Sequence, residues 1–533
     1  MAKLPTLLPT EGECSGPATD SVVLAVFAPF GSDKVLSTWP RRETDPQAPI
    51  EQQAIVRSLQ RVAAQHVHVC ALVDLVDDDS WYIEIPAKSP GPVRPVSTWK
   101  QDMSHPHSLA GFLVHVQRRF PCSDIVLALE GHGAGYLPEI DGTKLTIENI
   151  TDSGGFSWTK ANDGTTVSPN PPPLSMVSPE LSMVSPELPA TRLPMSTLGL
   201  AKALALAQAK GARRPAVIHF NNCFNLSVEL LHTVARHADF ATAYANYNFF
   251  TAGQAYERVF ANLRAAGTTS REQLAVWFAE TNRDILDAQG KHPTIGGRIR
   301  LADMPALAGL INALATALVN DMVGAIAAGR RDVVVGAIRA AIREAQQYDT
   351  VPDFVLEVPD QLTDLRHLAE RLKAQTGLAA AVVQAATDLE TALSGVRVYG
   401  SVDEPYKKPG TIWNFRKPPL AINILCPDPD LQGIWDWRSP YYIDSRRDPG
   451  HPSALAEDIP FLKQGTWVDF VIEYHRKIDF KRYLPARAPV FPVFIGDDKG
   501  GGGPRPRPKE PPKRPRSPGP RKAGQGKTGG SGV

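Results

Sequence analysis

DIVLALEGHGAGY at 124–136 and AVIHFNNCFNLSVE at 216–229 decide the fold. Each begins as a short apolar run of the kind that lies buried on both faces of a parallel sheet, and each then breaks into small or polar residues. The first run is closed by Gly131-His132-Gly133. The second passes directly into Asn221-Asn222-Cys223. Sites in open parallel sheets form at the carboxyl ends of strands. If the two strands are neighbours, His132 and Cys223 face one crevice, and the pair suits acyl transfer through a cysteine thiolate. Backbone N–H groups at Gly133 and Cys223 would then hold the oxyanion, and Gly133 lets a substrate approach closely. A helix beginning just after Cys223 would lower the thiol pKa through its dipole. Taken singly, neither residue decides the matter. A cysteine at a strand end is more often a small buried hydrophobe, and a histidine between glycines is more often part of a turn.

Working outward, SVVLAVF at 21–27 and HVHVCALVDLV at 66–76 read as further buried strands, and WYIEI at 81–85 as a hairpin partner. Helical spacing is seen over 51–65 and over 108–120, the latter ended by Pro121. A Ser196 N-cap and Gly211 bracket another helix, and 227–237 reads as one more. Strand–helix alternation of this kind predicts an α/β fold with a mostly parallel sheet.

The expected organisation is a loose N-terminus over 1–20, a sheet-containing domain over 21–270, a helical region over 271–395, a strand- and aromatic-rich region over 396–490, and a disordered tail over 497–533. LSMVSPE occurs at 174–180 and again at 181–187, beside Pro171–Pro173, so 160–194 reads as a mobile loop insertion. The tail after 498 carries ten Lys/Arg and one Glu; with a net charge of +1 for the chain, the preceding residues balance at minus eight. Such a tail suits a weak electrostatic partner, and without aromatic residues it offers no specific nucleic-acid recognition. The five cysteines are Cys14, Cys70, Cys122, Cys223 and Cys426. Odd in number and widely spaced, they argue against a disulfide framework and a zinc site. No secretory leader is read at the N-terminus. The apolar stretch Pro305–Asn320 is expected to be a core helix too short to span a bilayer. A cytoplasmic, bacterial-like protein is therefore expected.

The two deciding segments, extended to SLAGFLVHVQRRFPCSDIVLALEGHGAGY (108–136) and FNNCFNLSVE (220–229), resemble the clostripain family of cysteine peptidases. His132, Gly133, Gly135 and Tyr136 fill that family's HGxG(W/Y) pattern. Phe220, Cys223, Ser227, Val228 and Glu229 fill FDxCLMxSVE. ADFATAYANYNFFTAGQAY (238–256) is similar to a third family segment, with Ala238, Asp239, Gly253 and Tyr256 in register. LAINILCPDP (420–429) and the segment at Trp467 are similar to its closing strand and helix.

The resemblance implies a caspase-like αβα sandwich and a Cys223–His132 dyad acting as an endopeptidase. It also implies substrate contacts at Asn221, Asn222, Ala243 and Tyr244. The family's acid two residues before the nucleophile is Asn221 here, and its Ser is Tyr244. A neutral amide cannot pair with a cation, so the family preference for Arg or Lys before the scissile bond (the P1 position) is expected to weaken or disappear. The same two changes allow an alternative, a catalytically weak or inactive relative that binds or regulates. Glu229 reads as a structural hydrogen-bonding residue. Asp141 and Asp152 are the candidates for Ca²⁺, which some relatives use; no other cofactor and no structural metal are expected. Arg192 is the candidate for self-cleavage within the 160–194 loop.

Overall fold

The computed structural model describes residues 4–8, 21–29, 50–74, 80–88, 95–99, 103, 105–131, 133, 135–137, 195–246, 248, 255–289, 295–348, 362–400, 419–426 and 459–475. These belong to one unit, Met1–Phe494. The strands in chain order are β1 Thr6–Leu8, β2 Ser21–Pro29, β3 His68–Asp74, β4 Ser80–Ile85, β5 Pro95–Trp99, β6 Ser123–Glu130, β7 Val217–Asn221, β8 Phe240–Tyr244, β9 Thr268–Ser270, β10 Ile295–Arg300, β11 Gln347–Tyr348, β12 Leu362–Asp364, β13 Arg397–Gly400 and β14 Asn423–Leu425. Nine of them form a single sheet in the order β13-β10-β8-β7-β6-β2-β3-β4-β5. The central run from β8 to β3 is parallel, and both margins are antiparallel.

The central strands are apolar because helices cover both faces. Alternate residues Leu24, Val26, Val126 and Ala128 join one core with Ile55, Leu59 and Val62 of α1 (Ala54–Ala63). The same core takes in Val259 and Phe260 of α5 (Tyr256–Ala266) and Phe278 of α6 (Arg271–Gln289). The intervening residues face α2 (Pro106–Arg119) and α3 (Thr197–Ala209), where Phe27 and Phe112 have ring centroids 6.3 Å apart. Period-two alternation between two apolar layers thus yields the expected αβα arrangement. Ser196 caps α3 by accepting from the Gly199 amide at 2.8 Å, and Pro106 opens α2 at a position where its missing N–H costs nothing.

Several boundaries differ from those read in the sequence. The expected loose N-terminus contains β1, paired in parallel with β9. The sheet continues past residue 270, since β10 and β13 extend it beyond β8. The helical region after 270 therefore builds onto the same unit rather than forming a separate body. Its long helix, α7 (Met304–Ala327), runs through Asp321 and is long and apolar enough to cross a membrane by length and composition, contrary to the shorter helix expected. Here Leu307, Ile311, Leu314, Leu318 and Met322 form a buried stripe at helical spacing. Asn312 Oδ1 accepts from the Thr466 amide, and Asp321 Oδ2 from the Ala379 amide. The segments 138–194 and 497–533 lie outside the described residues, and with them Asp141, Asp152, Arg192 and the tail.

Candidate active site

β6 and β7 are parallel neighbours, with Glu130 opposite Asn221 at their carboxyl ends. The loops that follow meet directly. A Cβ placed on Gly133 would stand 2.1 Å from the Cys223 carbonyl oxygen and 3.0 Å from its amide nitrogen. No side chain fits at such a distance, so the glycine is required by close approach as well as by its sequence setting. Gly131, with φ of +102°, and Gly135, with φ of +66°, turn the loop through conformations that favour glycine. His132 lies outside the described residues.

Cys223 is 4% exposed. Its Sγ accepts from the Asn248 amide at 3.4 Å and lies 3.8 Å from the Asn248 carbonyl oxygen. Phe224, the next residue, has φ of +61°, and the loop is stitched to the end of β8 by Phe224 N–H to Asn246 O (3.0 Å) and Leu226 N–H to Tyr244 O (2.8 Å). The helix read over 227–237 is α4 (Val228–Val234), where Ser227 caps it through the Leu230 amide. Asn423 of β14 reaches across to this loop, its Nδ2 donating to Phe224 O and Ala245 O. Glu229 does what a buried structural carboxyl does: Oε2 accepts from Ser227 Oγ and Oε1 from the Leu425 amide.

The four expected substrate-contacting residues divide by strand alternation. Asn221 and Tyr244 lie on the α5–α6 side. Ala243 occupies the opposite face of β8, against Gly297 of β10. The Asn222 carbonyl oxygen Oδ1 accepts from Asn225 Nδ2 and borders a cleft lined by Phe27, Met103, Leu109, Leu137 and Leu200.

Around Asn221 a buried polar chain is formed that the sequence did not disclose. Asn221 Nδ2 donates to Glu130 Oε2 at 2.9 Å, and Tyr256 Oη donates to Glu130 Oε1 at 2.6 Å. Asn221 Oδ1 in turn accepts from Asn248 Nδ2 at 2.8 Å. Burial first, and then the Glu130 charge, hold the Tyr256 phenol well above its ordinary range; the same causes, joined by Cys223, act on Tyr244. Tyr244 Oη has no hydrogen-bond partner among the described residues. Behind them His219 is fully buried, stacked on Phe278, with Nδ1 2.7 Å from Thr242 Oγ1; burial lowers its pKa to about 3. The signal for Glu130 was present as a charged residue ending an apolar strand in register with Asn221, but it needed the strand pairing to be read. Among the described residues no group of His, Cys, Asp or Glu is arranged to hold a metal ion, and Cys70, Cys122, Cys223 and Cys426 are thiols.

No family model matches the sequence and no curated protein matches it. Solved structures it is similar to include C11 (clostripain-family) cysteine proteases. One is a secreted C11 cysteine protease from Bacteroides thetaiotaomicron in complex with an irreversible peptide inhibitor, at 14% identity and TM-score 0.49, covering 81% of this chain and 98% of that one. A second is an inactive zymogen C11 protease from Parabacteroides distasonis, at 13% identity and TM-score 0.46, covering 77% of this chain and 93% of that one. A third is a B. fragilis cysteine protease, at 12% identity and TM-score 0.30, covering 52% of this chain and 96% of that one.

Proposed function

We propose that the chain is a cysteine endopeptidase in which Cys223 is the nucleophile and His132 its proton-transfer partner. The observation that carries the proposal is the contact of Gly133 with the Cys223 backbone, which joins the two motif loops at the ends of adjacent parallel strands. In the reaction, Cys223 Sγ as thiolate adds to the carbonyl carbon of the scissile amide. The oxyanion is met by backbone N–H groups at Gly133 and Cys223. The C–N bond breaks as the amine nitrogen takes a proton from the imidazolium, leaving a thioester. Water, deprotonated by the now neutral imidazole, cleaves the thioester and returns the thiol.

Peptide acyloxymethyl-ketone probes test this. Wild-type labelling that vanishes in both Cys223→Ala and His132→Ala is expected; labelling that survives Cys223→Ala would sink the assignment. A second reading, a weakly active or inactive binding module, is favoured by the burial of Cys223 under Asn248. Failure of the wild type and of Asn248→Gly to label with any probe would favour it.

A further inference from the structure

Asn248 lies across Cys223, with its main chain on the sulfur and its side chain in the polar cradle. Its main chain touches the sulfur at both the amide nitrogen and the carbonyl oxygen, at 3.4 Å and 3.8 Å. Its side chain enters the polar cradle beside the thiol and is 1% exposed. In peptide-bond cleavage, the carbonyl attacked belongs to the residue whose side chain fills the pocket next to the nucleophile. Asn248 brings both a carbonyl group beside the sulfur and a side chain into that cradle.

The cradle has a definite chemical preference. The Glu130 carboxylate only accepts hydrogen bonds, so Asn221 must turn its NH₂ toward it and its oxygen away. Tyr256 occupies the second Glu130 oxygen and fixes the carboxylate from behind. What the cradle presents is therefore a neutral, oriented acceptor, Asn221 Oδ1, with the negative charge set one residue back and already hydrogen-bonded. Asn248 Nδ2 answers that acceptor at 2.8 Å, so the cradle holds the NH₂ of a carboxamide. The Tyr244 hydroxyl, on the same side of the sheet, is not met by the Asn248 amide and has no partner among the described residues. A guanidinium or ammonium group would give up its hydration to an acceptor that carries no charge.

Resting on the peptidase reading above, we infer that the Asn221–Glu130–Tyr256 cradle selects a carboxamide side chain, so that preferred substrates carry asparagine at P1, and that Asn248 is its internal occupant.

Two measurements test it. In the first, ketone probes identical except for Asn, Gln, Asp, Arg or Ala at P1 are applied to the wild type and to Asn248→Gly. The Asn probe is expected to label faster than Arg by at least about tenfold, the scale of one buried hydrogen bond. Asn248→Gly should raise the rate, and Asn221→Ala should erase the preference. In the second, calorimetry measures binding of otherwise identical peptides containing Asn or Arg to the Cys223→Ala protein, where no chemistry is needed. Fastest labelling by Arg, or equal binding of both peptides, overturns the carboxamide cradle while leaving the peptidase intact. Selective binding of the Asn peptide without labelling of the wild type or Asn248→Gly supports the cradle and sinks the peptidase reading. Neither binding nor labelling overturns both.

Discussion

Gly133 lies against the backbone of Cys223 so tightly that one added carbon would stand 2.1 Å from the Cys223 carbonyl oxygen. Neither residue can move without the other, although 90 positions separate them in the chain. The candidate nucleophile is thus shaped as much by the loop after β6 as by its own.

That contact makes Gly133→Ala informative. The carbon must displace backbone, and overpacking of this kind costs about 1–3 kcal/mol. Loss of probe labelling is expected together with a lowered urea midpoint. Gly309→Ala in α7, where an added Cβ meets nothing within 4 Å, is the control and should keep full labelling with equal or higher stability. Normal labelling by Gly133→Ala would contradict the coupling of the two loops.

Asn423→Ala removes two donors from the nucleophile loop, one to Phe224 O and one to Ala245 O. Each of the two buried carbonyls loses this donor, at a total of about 2–4 kcal/mol. Chemical denaturation should report that loss, and the labelling rate should fall with it. Asn423→Asp, which keeps the shape without the donors, is expected to be no better. Wild-type stability in either variant would show that these bonds do not hold the loop.

His219 predicts a pH dependence. Its folded pKa is lowered to about 3 by burial, whereas the unfolded chain takes up the proton near the ordinary value of 6.5. The contribution of neutral His219 is complete above 6.5 and is lost as pH falls toward 3, at up to about 1.4 kcal/mol per pH unit. Urea midpoints of wild type and His219→Gln, compared at pH 7.5, 6 and 5, should converge as pH falls. A constant difference would show that His219 is protonated in the folded protein or is not the group responsible.

At the opposite end of the sheet, Arg271 pairs with Asp239, which also binds Arg214, and reaches Asp124 Oδ1 at 3.1 Å. Arg271→Met leaves Asp124 without this ion pair and strips one of two from Asp239. A destabilisation of about 3–5 kcal/mol is expected from breaking such a buried network. Asp124→Asn in the same background should recover part of it, as a double-mutant cycle by denaturation would show; purely additive losses would argue that the charges are independent.

How much of this was legible beforehand follows from where each interaction lives in the chain. The apolar runs of β2, β3, β6 and β7 are local signals, and so are the Ser196 cap and the glycines around His132; an α/β fold with a mostly parallel sheet was read from them, and the αβα sandwich from the family resemblance. The junction of the His132 and Cys223 motifs needed only the further inference that β6 and β7 are neighbours. The polar chain through Glu130, Asn221, Asn248 and Tyr256 was not legible, because it depends on strand register and on Asn248 lying across Cys223. Asn221 was expected to contact substrate; its amide is paired with Glu130 on one side and Asn248 on the other. The extension of the sheet by β10 and β13 was missed for a related reason: both are short strands embedded among helices, and only pairing identifies them. The length of α7 was underestimated because the apolar stretch was bounded at Asn320, before a charged residue, Asp321, whose carboxylate accepts from the Ala379 amide of a neighbouring segment.

The reach of Asn423 into the Cys223 loop has a bearing on biosynthesis. Its acceptors are made 199 and 178 residues earlier, so the loop waits for its clasp while the ribosome completes the intervening chain. At about 5–20 residues per second the delay is roughly 10–40 s. During that interval β7 and β8 can already pair, but the turn bearing the thiol has no Asn423 to fix it. Chains released before Asn423 should therefore fail to label, and pulse-labelled nascent chains should acquire reactivity only after the β14 segment has emerged. The end of the sheet that carries Cys223 is thus completed only after β14 has been made, long after the strands it joins.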